Sequence, residues 1–324
     1  MSLDPTAFKP RFPWWGGDLQ TLANRFRPLA DLAPHTSERL AFALEDGTGD
    51  TLLARLDRPA IARAGRPLVI AVHGLTGAED SAYMLSIARR LLDEGYRVLR
   101  LNLRGAGPSR PLCRGHYYAG RSQDFRLLLE LLPTELTSDG IMAVGYSLGG
   151  TMLLKYLGEE GSRTPLVAAA TVSTPIDLAA TSRSMLRPRN ALYHAYLLRQ
   201  MTREATAPAA LLSAAEREAI HGSATIREYD DRFIAPRHGF AGADDYYERC
   251  KPVAFMPGVR IPTLLVASLD DPWIPGGLYS GYDWRANKAL RPLLTSSGGH
   301  VGFHGVGDRR PWSDLAVARF FENV

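Results

Sequence analysis

Three short stretches of this 324-residue chain carry side chains with the right types and spacing for one kind of chemistry. Gly145-Tyr-Ser-Leu-Gly149 sets a serine between two glycines, directly behind the apolar run Ile141–Val144. Ser268-Leu-Asp-Asp-Pro-Trp-Ile-Pro275 places two aspartates after another apolar run, and Ser297-Gly-Gly-His-Val-Gly-Phe303 places a histidine among glycines. A serine hydroxyl is a poor nucleophile until a base takes its proton. A histidine base in turn needs a carboxylate to hold its tautomer and balance its positive charge. A strand that turns sharply into a helix through Gly-x-Ser-x-Gly lifts the hydroxyl clear of the surface, and the chain order Ser, Asp, His belongs with that device. Ser147 is therefore the candidate nucleophile of an acyl transfer and His300 the base. Asp271 is the orienting acid, three residues past its strand and four before Pro275, with Asp270 the alternative. A base histidine must be neutral, so activity should fall in acid.

An acyl transfer also develops an oxyanion, which needs preorganised N–H donors. Leu148, at the start of the helix behind the serine, offers one. The loop His73-Gly-Leu-Thr-Gly77 follows another apolar run and offers the second from Leu75. His73 reads as a residue that holds this loop by hydrogen bonds, while His35, His194, His221 and His304 read as packing or solvation. Asn102-Leu-Arg-Gly-Ala-Gly-Pro-Ser109 lacks the spacing of a phosphate loop and reads as a tight turn after a strand. Phe12-Pro-Trp-Trp-Gly-Gly-Asp-Leu-Gln-Thr21 is an aromatic arm that either packs across the domain or meets an acyl group or membrane surface.

The elements that position these residues alternate. Apolar runs of strand length appear at 67–72, 96–102, 140–146, 165–172, 262–268 and 292–296, with a hairpin of two strands over 38–56. Helical spacing appears at 81–94, 124–136 and 312–321. Such alternation predicts a mostly parallel central sheet with helices on both faces, and ligands at the carboxyl ends of its strands. Between about 178 and 260 no buried strand appears, only arginine-rich helical patterns over 190–205 and 208–220 and a short helix starting near Asp244. The expected organisation is an N-terminal arm over 1–35, a core over 36–177 and 261–324, and a helical lid insertion over 178–260. Met185, Leu186, Tyr193 and Tyr196 are expected to line an acyl pocket beneath that lid.

Hydrophobic residues make up 45% of the chain and charged ones 22%, as in ordinary globular proteins. The net charge of +4 is spread without basic blocks or interleaved aromatics, which argues against nucleic-acid binding. Two cysteines, Cys113 and Cys250, argue against a disulfide framework, and they come without metal-ligand spacing. With no leader-like N-terminus and no apolar run of spanning length, a cytoplasmic setting is expected, with peripheral membrane contact left open. No metal or organic cofactor is expected.

Taken together, Trp14-Trp15 with Leu19-Gln-Thr-Leu22, His73-Gly-Leu-Thr-Gly, Asn102-Leu-Arg-Gly, Gly145-Tyr-Ser-Leu-Gly-Gly, Asp230-Asp-Arg-Phe, His238-Gly-Phe, Asp244-Asp-Tyr-Tyr, Asp270-Asp-Pro and Gly298-Gly-His-Val-Gly-Phe resemble the YheT-like branch of the α/β-hydrolases. That branch is akin to ABHD-type lipases and yeast medium-chain ethyl-ester synthases/esterases. The resemblance implies the α/β-hydrolase fold and a serine hydrolase of short- to medium-chain acyl esters, with Ser147, Asp271 and His300 on the triad positions. Acyl transfer to an alcohol and thioester hydrolysis would use the same residues, and a non-catalytic ligand sensor on the same fold is the reading from another class.

Overall fold

The computed structural model describes residues 8–26, 28–208 and 210–324. The first seven residues of the 1–35 arm lie outside the described residues. Eight strands form one sheet in the order β1-β2-β4-β3-β5-β6-β7-β8. They run over Thr36–Ala43 (β1), Thr51–Arg58 (β2), Leu68–Val72 (β3), Arg97–Leu101 (β4), Ile141–Tyr146 (β5), Leu166–Val172 (β6), Thr263–Ser268 (β7) and Leu290–Thr295 (β8). β1 pairs with β2 and β2 with β4 in antiparallel fashion, and every other pairing is parallel. The central strands β3 and β5 are buried along their whole length, which is why they read as unbroken apolar runs.

Alternation along each strand builds two cores. Ile70, Val72 and Leu101 face one way, onto Phe125, Leu153 and Leu157; Val69, Ala71 and Val98 face the other, onto Ile87, Leu91, Val317 and Phe320. The helices Ala82–Asp93 and Trp312–Glu322 cover the second face, and Ser122–Leu131 and Leu148–Glu160 the first. The helix expected over 124–136 is interrupted: Ser122–Leu131 ends ahead of Pro133, which has no N–H to continue the ladder, and a short helix resumes at Thr134–Thr137.

Between β6 and β7 every described element is helical. Helices Leu178–Met185, Ala191–Ala205, Ala214–His221 and Ala243–Cys250 surround a third apolar cluster of Met201, Ile220, Phe233, Tyr246 and Tyr247. Ala214–His221 starts later than the pattern over 208–220 suggests, because Ser213 and Glu216 form a reciprocal cap there. Residue 209 of that pattern lies outside the described residues. A single π turn over Asp230–Ile234 turns Asp230 inward. The aromatic arm contains the helix Gly16–Phe26, which buries Gln20 and Ala23.

Candidate active site

Ser147 stands between β5 and the helix Leu148–Glu160 with φ 49° and ψ −120°, a conformation costly for a residue with a side chain. The turn is this tight because nothing stands in its way. A Cβ on Gly149 would lie 2.4 Å from the His73 carbonyl oxygen, and one on Gly145 would lie 2.7 Å from that of Gly149. The strain is held by neighbours, since the Ser147 N–H donates to Val172 O at 2.9 Å.

His300 Nε2 lies 3.0 Å from Ser147 Oγ, and its Nδ1 lies 2.8 Å from Asp271 Oδ2. The other oxygen of Asp271 accepts the N–H groups of Trp273 (2.8 Å) and Ile274 (3.1 Å), so the carboxylate cannot swing away. Trp273 stacks on the imidazole with ring centroids 4.1 Å apart. With a carboxylate on Nδ1, that nitrogen carries the proton, and the Nε2 lone pair faces the hydroxyl. Asp270 turns elsewhere: it accepts the Gly299 N–H at 2.9 Å and the hydroxyl of Ser268.

The loop after β3 presses on the elbow, where a Cβ on Gly74 would lie 3.0 Å from Ser147 Cβ. His73 is buried and holds this loop. Its Nε2 accepts the Leu103 N–H at 3.0 Å, so Nδ1 carries the proton and donates to Gly74 O at 2.8 Å. Burial pushes its pKa down to about 4 and keeps it neutral. Tyr117 completes the hold: its hydroxyl accepts the Thr76 N–H at 2.8 Å and donates to Glu204 at 2.8 Å.

Ser147, His300, Leu75 and Leu148 line one cavity with Tyr117, Met201, Tyr229 and Trp273. Of the four residues expected to form an acyl pocket, Met185 lines this cavity and Leu186, Tyr193 and Tyr196 do not. Helical phase decides the difference. On Ala191–Ala205 the inward face is Leu197, Met201, Glu204 and Ala205, which leaves Tyr196 outward beside Arg25. Tyr193 packs on the rim side of Trp273, with its hydroxyl 3.2 Å from Asp18, and Leu186 is exposed at the helix end. Glu204 and Asp230 line the cavity too, hydrogen-bonded to Tyr117 and Tyr247, and burial raises both to about 7. Neither was expected in the site, although Asp230 and Tyr247 sit in motifs that the sequence displays.

The N-terminal helix also reaches the site. The His300 N–H donates to Thr21 Oγ1 at 2.8 Å, and Asn24 Nδ2 donates to Val301 O at 2.8 Å. Gln20, fully buried, accepts the His304 N–H at 2.7 Å and donates to His304 O at 3.1 Å. The helix lies so close that a Cβ on Gly299 would meet Gly17 O at 2.3 Å. Leu19-Gln-Thr-Leu22 was the visible signal, without a partner to explain it.

Comparison with known proteins agrees with this architecture. A family model described as alpha/beta hydrolase fold matches residues 67–305. YheT of Escherichia coli (strain K12) is 31% identical over 299 residues, covering 89% of this chain and 84% of that one. Phospholipase ABHD3 of Homo sapiens is 31% identical over 248 residues, 76% of this chain and 61% of that one, so the chain spans about three fifths of that relative's length. Medium-chain fatty acid ethyl ester synthase/esterase 2 of Saccharomyces cerevisiae is 30% identical over 79% of this chain and 62% of its own. Among solved structures, a Pyrococcus furiosus esterase superposes with a TM-score of 0.58 at 16% identity, over 92% of this chain and 98% of that one. The chain belongs to the α/β-hydrolase-fold family and, within it, to the YheT-like proteins.

Proposed function

We propose that the protein is a serine hydrolase of carboxylic esters with short- to medium-chain acyl groups, working through an acyl-enzyme on Ser147. The observation that carries this reading is the unbroken hydrogen-bonded line Asp271–His300–Ser147, at 2.8 and 3.0 Å, opening on a mostly apolar cavity. Ser147 Oγ attacks the carbonyl carbon as His300 Nε2 takes its proton. The N–H groups of Leu75 and Leu148 hold the oxyanion. His300 then returns the proton to the departing alkoxide, and water, activated by the same imidazole, releases the acid and restores Ser147. The segment 178–260 acts as a lid in this reading, supported by the many cavity-lining residues it supplies, from Leu178 to Tyr247. The yeast relative's name supports a second use of the acyl-enzyme, in which an alcohol replaces water as the acceptor. A cytoplasmic setting is supported by Cys113 and Cys250, both buried free thiols.

The test is hydrolysis of p-nitrophenyl esters of graded acyl length by wild type and Ser147→Ala. Activity that peaks at one chain length and vanishes in the variant is the expected result. Equal rates in both proteins would sink the assignment of Ser147. Ethanol added to the wild type should divert product from acid to ethyl ester if acyl transfer is also supported.

A further inference from the structure

Seven large apolar side chains left exposed among the described residues lie on two neighbouring helices and the segment just before the first of them. On the N-terminal helix Trp15, Leu19, Leu22 and Phe26 recur at helical spacing and point away from the protein, with Trp15 60% and Phe26 71% exposed. Phe12, 70% exposed, packs on Trp15. The inner face of this helix is the one that holds the His300 loop through Gln20, Thr21 and Asn24. Alongside it, Leu192 and Tyr196 form the outer face of Ala191–Ala205, with Leu192 87% exposed, while the inner face of that helix walls the Ser147 cavity. The two helices are joined by Arg25 on Tyr196 and by Asp18 with Arg189 and Tyr193.

Beside them an open groove runs between Ala191–Ala205 and the end of Ala214–His221, with Arg25 of the N-terminal helix at its edge; Arg199, Arg203, His194 and His221 line it, without an acidic residue in its walls. Among the described residues no carboxylate lies within ion-pair distance of Arg25, Arg199 or Arg203, although most other arginines here are paired. Arg199 and Arg203 follow Leu192 and Tyr196 on the same helical face. Aromatic and leucine side chains beside a cluster of cations, on a helix with one polar side, are the composition that settles into the boundary of a lipid leaflet.

We propose that this face docks on an anionic phospholipid surface, with Trp15, Leu22, Phe26 and Leu192 entering the acyl boundary and Arg25, Arg199 and Arg203 meeting the headgroup charge. Charge selects this occupant over a second copy of the chain: two such faces would oppose cation to cation, and Asp18 is already taken by Arg189. Docking here would bring an ester embedded in the leaflet to the two helices that also wall the cavity and hold His300. The binding does not depend on Ser147 acting as a nucleophile, so its failure and that of the hydrolase reading are separable.

The test is co-sedimentation of the Ser147→Ala protein with phosphatidylcholine vesicles, with and without about 30% phosphatidylglycerol, at low and high salt. The expected result is binding to the anionic vesicles only, weakened by salt, with the tryptophan emission shifted to the blue. Each of Arg199→Gln and Arg203→Gln should weaken binding about fivefold, and Trp15→Ser with Phe26→Ser should abolish it. All of these changes, made in the Ser147-containing protein, should leave hydrolysis of a soluble p-nitrophenyl ester unchanged. Equal binding to both vesicle types, or none to either, would overturn the proposal. So would a concentration-dependent dimer that Phe26→Ser dissociates while vesicle binding stays absent.

Discussion

At the scale of single residues, two adjacent aspartates do different work because one step along the chain turns their carboxylates apart. Asp271 serves the imidazole and Asp270 the peptide of Gly299. Asp271→Asn keeps the shape but presents His300 with a partner that favours the wrong tautomer. It should lower kcat by on the order of 10⁴, the size of that change in a serine protease triad. Asp270→Asn still offers an oxygen to the Gly299 N–H and should cost about tenfold or less. Steady-state kinetics of both variants on one p-nitrophenyl ester decides the matter, and equal losses would reverse the assignment. Ser147, Asp271 and His300 were legible in the sequence because each follows an apolar run at a strand's carboxyl end, among glycines or prolines that mark tight turns. Tyr117 and Glu204 were not legible. Their chemistry arises from a contact across 87 positions, and neither is flanked by any local signal.

At the scale of elements, the helix Gly16–Phe26 is the part of the site that local reasoning could not place. Its pattern shows an amphipathic segment, but the loop it grips lies some 280 residues further along the chain. The same limit misplaced Tyr196: a helix can be recognised from its spacing before the direction of its buried face is known. This helix meets His300 through its backbone N–H, and the rest of the loop through the backbone of Val301 and His304 and the His304 imidazole, so it positions His300 without touching the reacting atoms. Thr21→Val removes the acceptor of the His300 N–H while keeping the volume. It should lower kcat about 3- to 10-fold with KM little altered, since a displaced base affects the transition state more than the ground state. Thr21→Ser should restore the rate. A variant that instead raised KM alone, or that Thr21→Ser failed to rescue, would argue that the helix only stabilises the fold.

At the scale of the whole molecule, buried charge has been handled in two ways, and stability against pH separates them. Arg104, fully buried, is paired with Asp46, Asp50 and Asp124, so the turn read from Asn102-Leu-Arg-Gly anchors the β1–β2 hairpin to the helix Ser122–Leu131. Arg104→Met strands those carboxylates and should cost about 3–5 kcal/mol in urea unfolding. Asp230 has no such partner. Burial raises it from 3.8 to about 7, against the opposing pull of its hydrogen bond from Tyr247 and the charge of Arg227. Below about pH 4 it is protonated both folded and unfolded, and it costs nothing. Between there and about 7 the unfolded chain releases the proton and the folded one keeps it, so stability falls as pH rises. Asp230→Asn removes that titration while its amide oxygen still accepts from Tyr247. The variant should match wild type near pH 4 and exceed it by about 1–4 kcal/mol near pH 8. Glu204 and Asp314, also raised to about 7, titrate in both proteins, so the difference between the two curves isolates Asp230. Unfolding curves that stay parallel from acid to mildly alkaline pH would show that Asp230 is ionised in the folded protein throughout. The cavity beside Ser147 would then carry a fixed negative charge, which an apolar acyl chain would have to avoid.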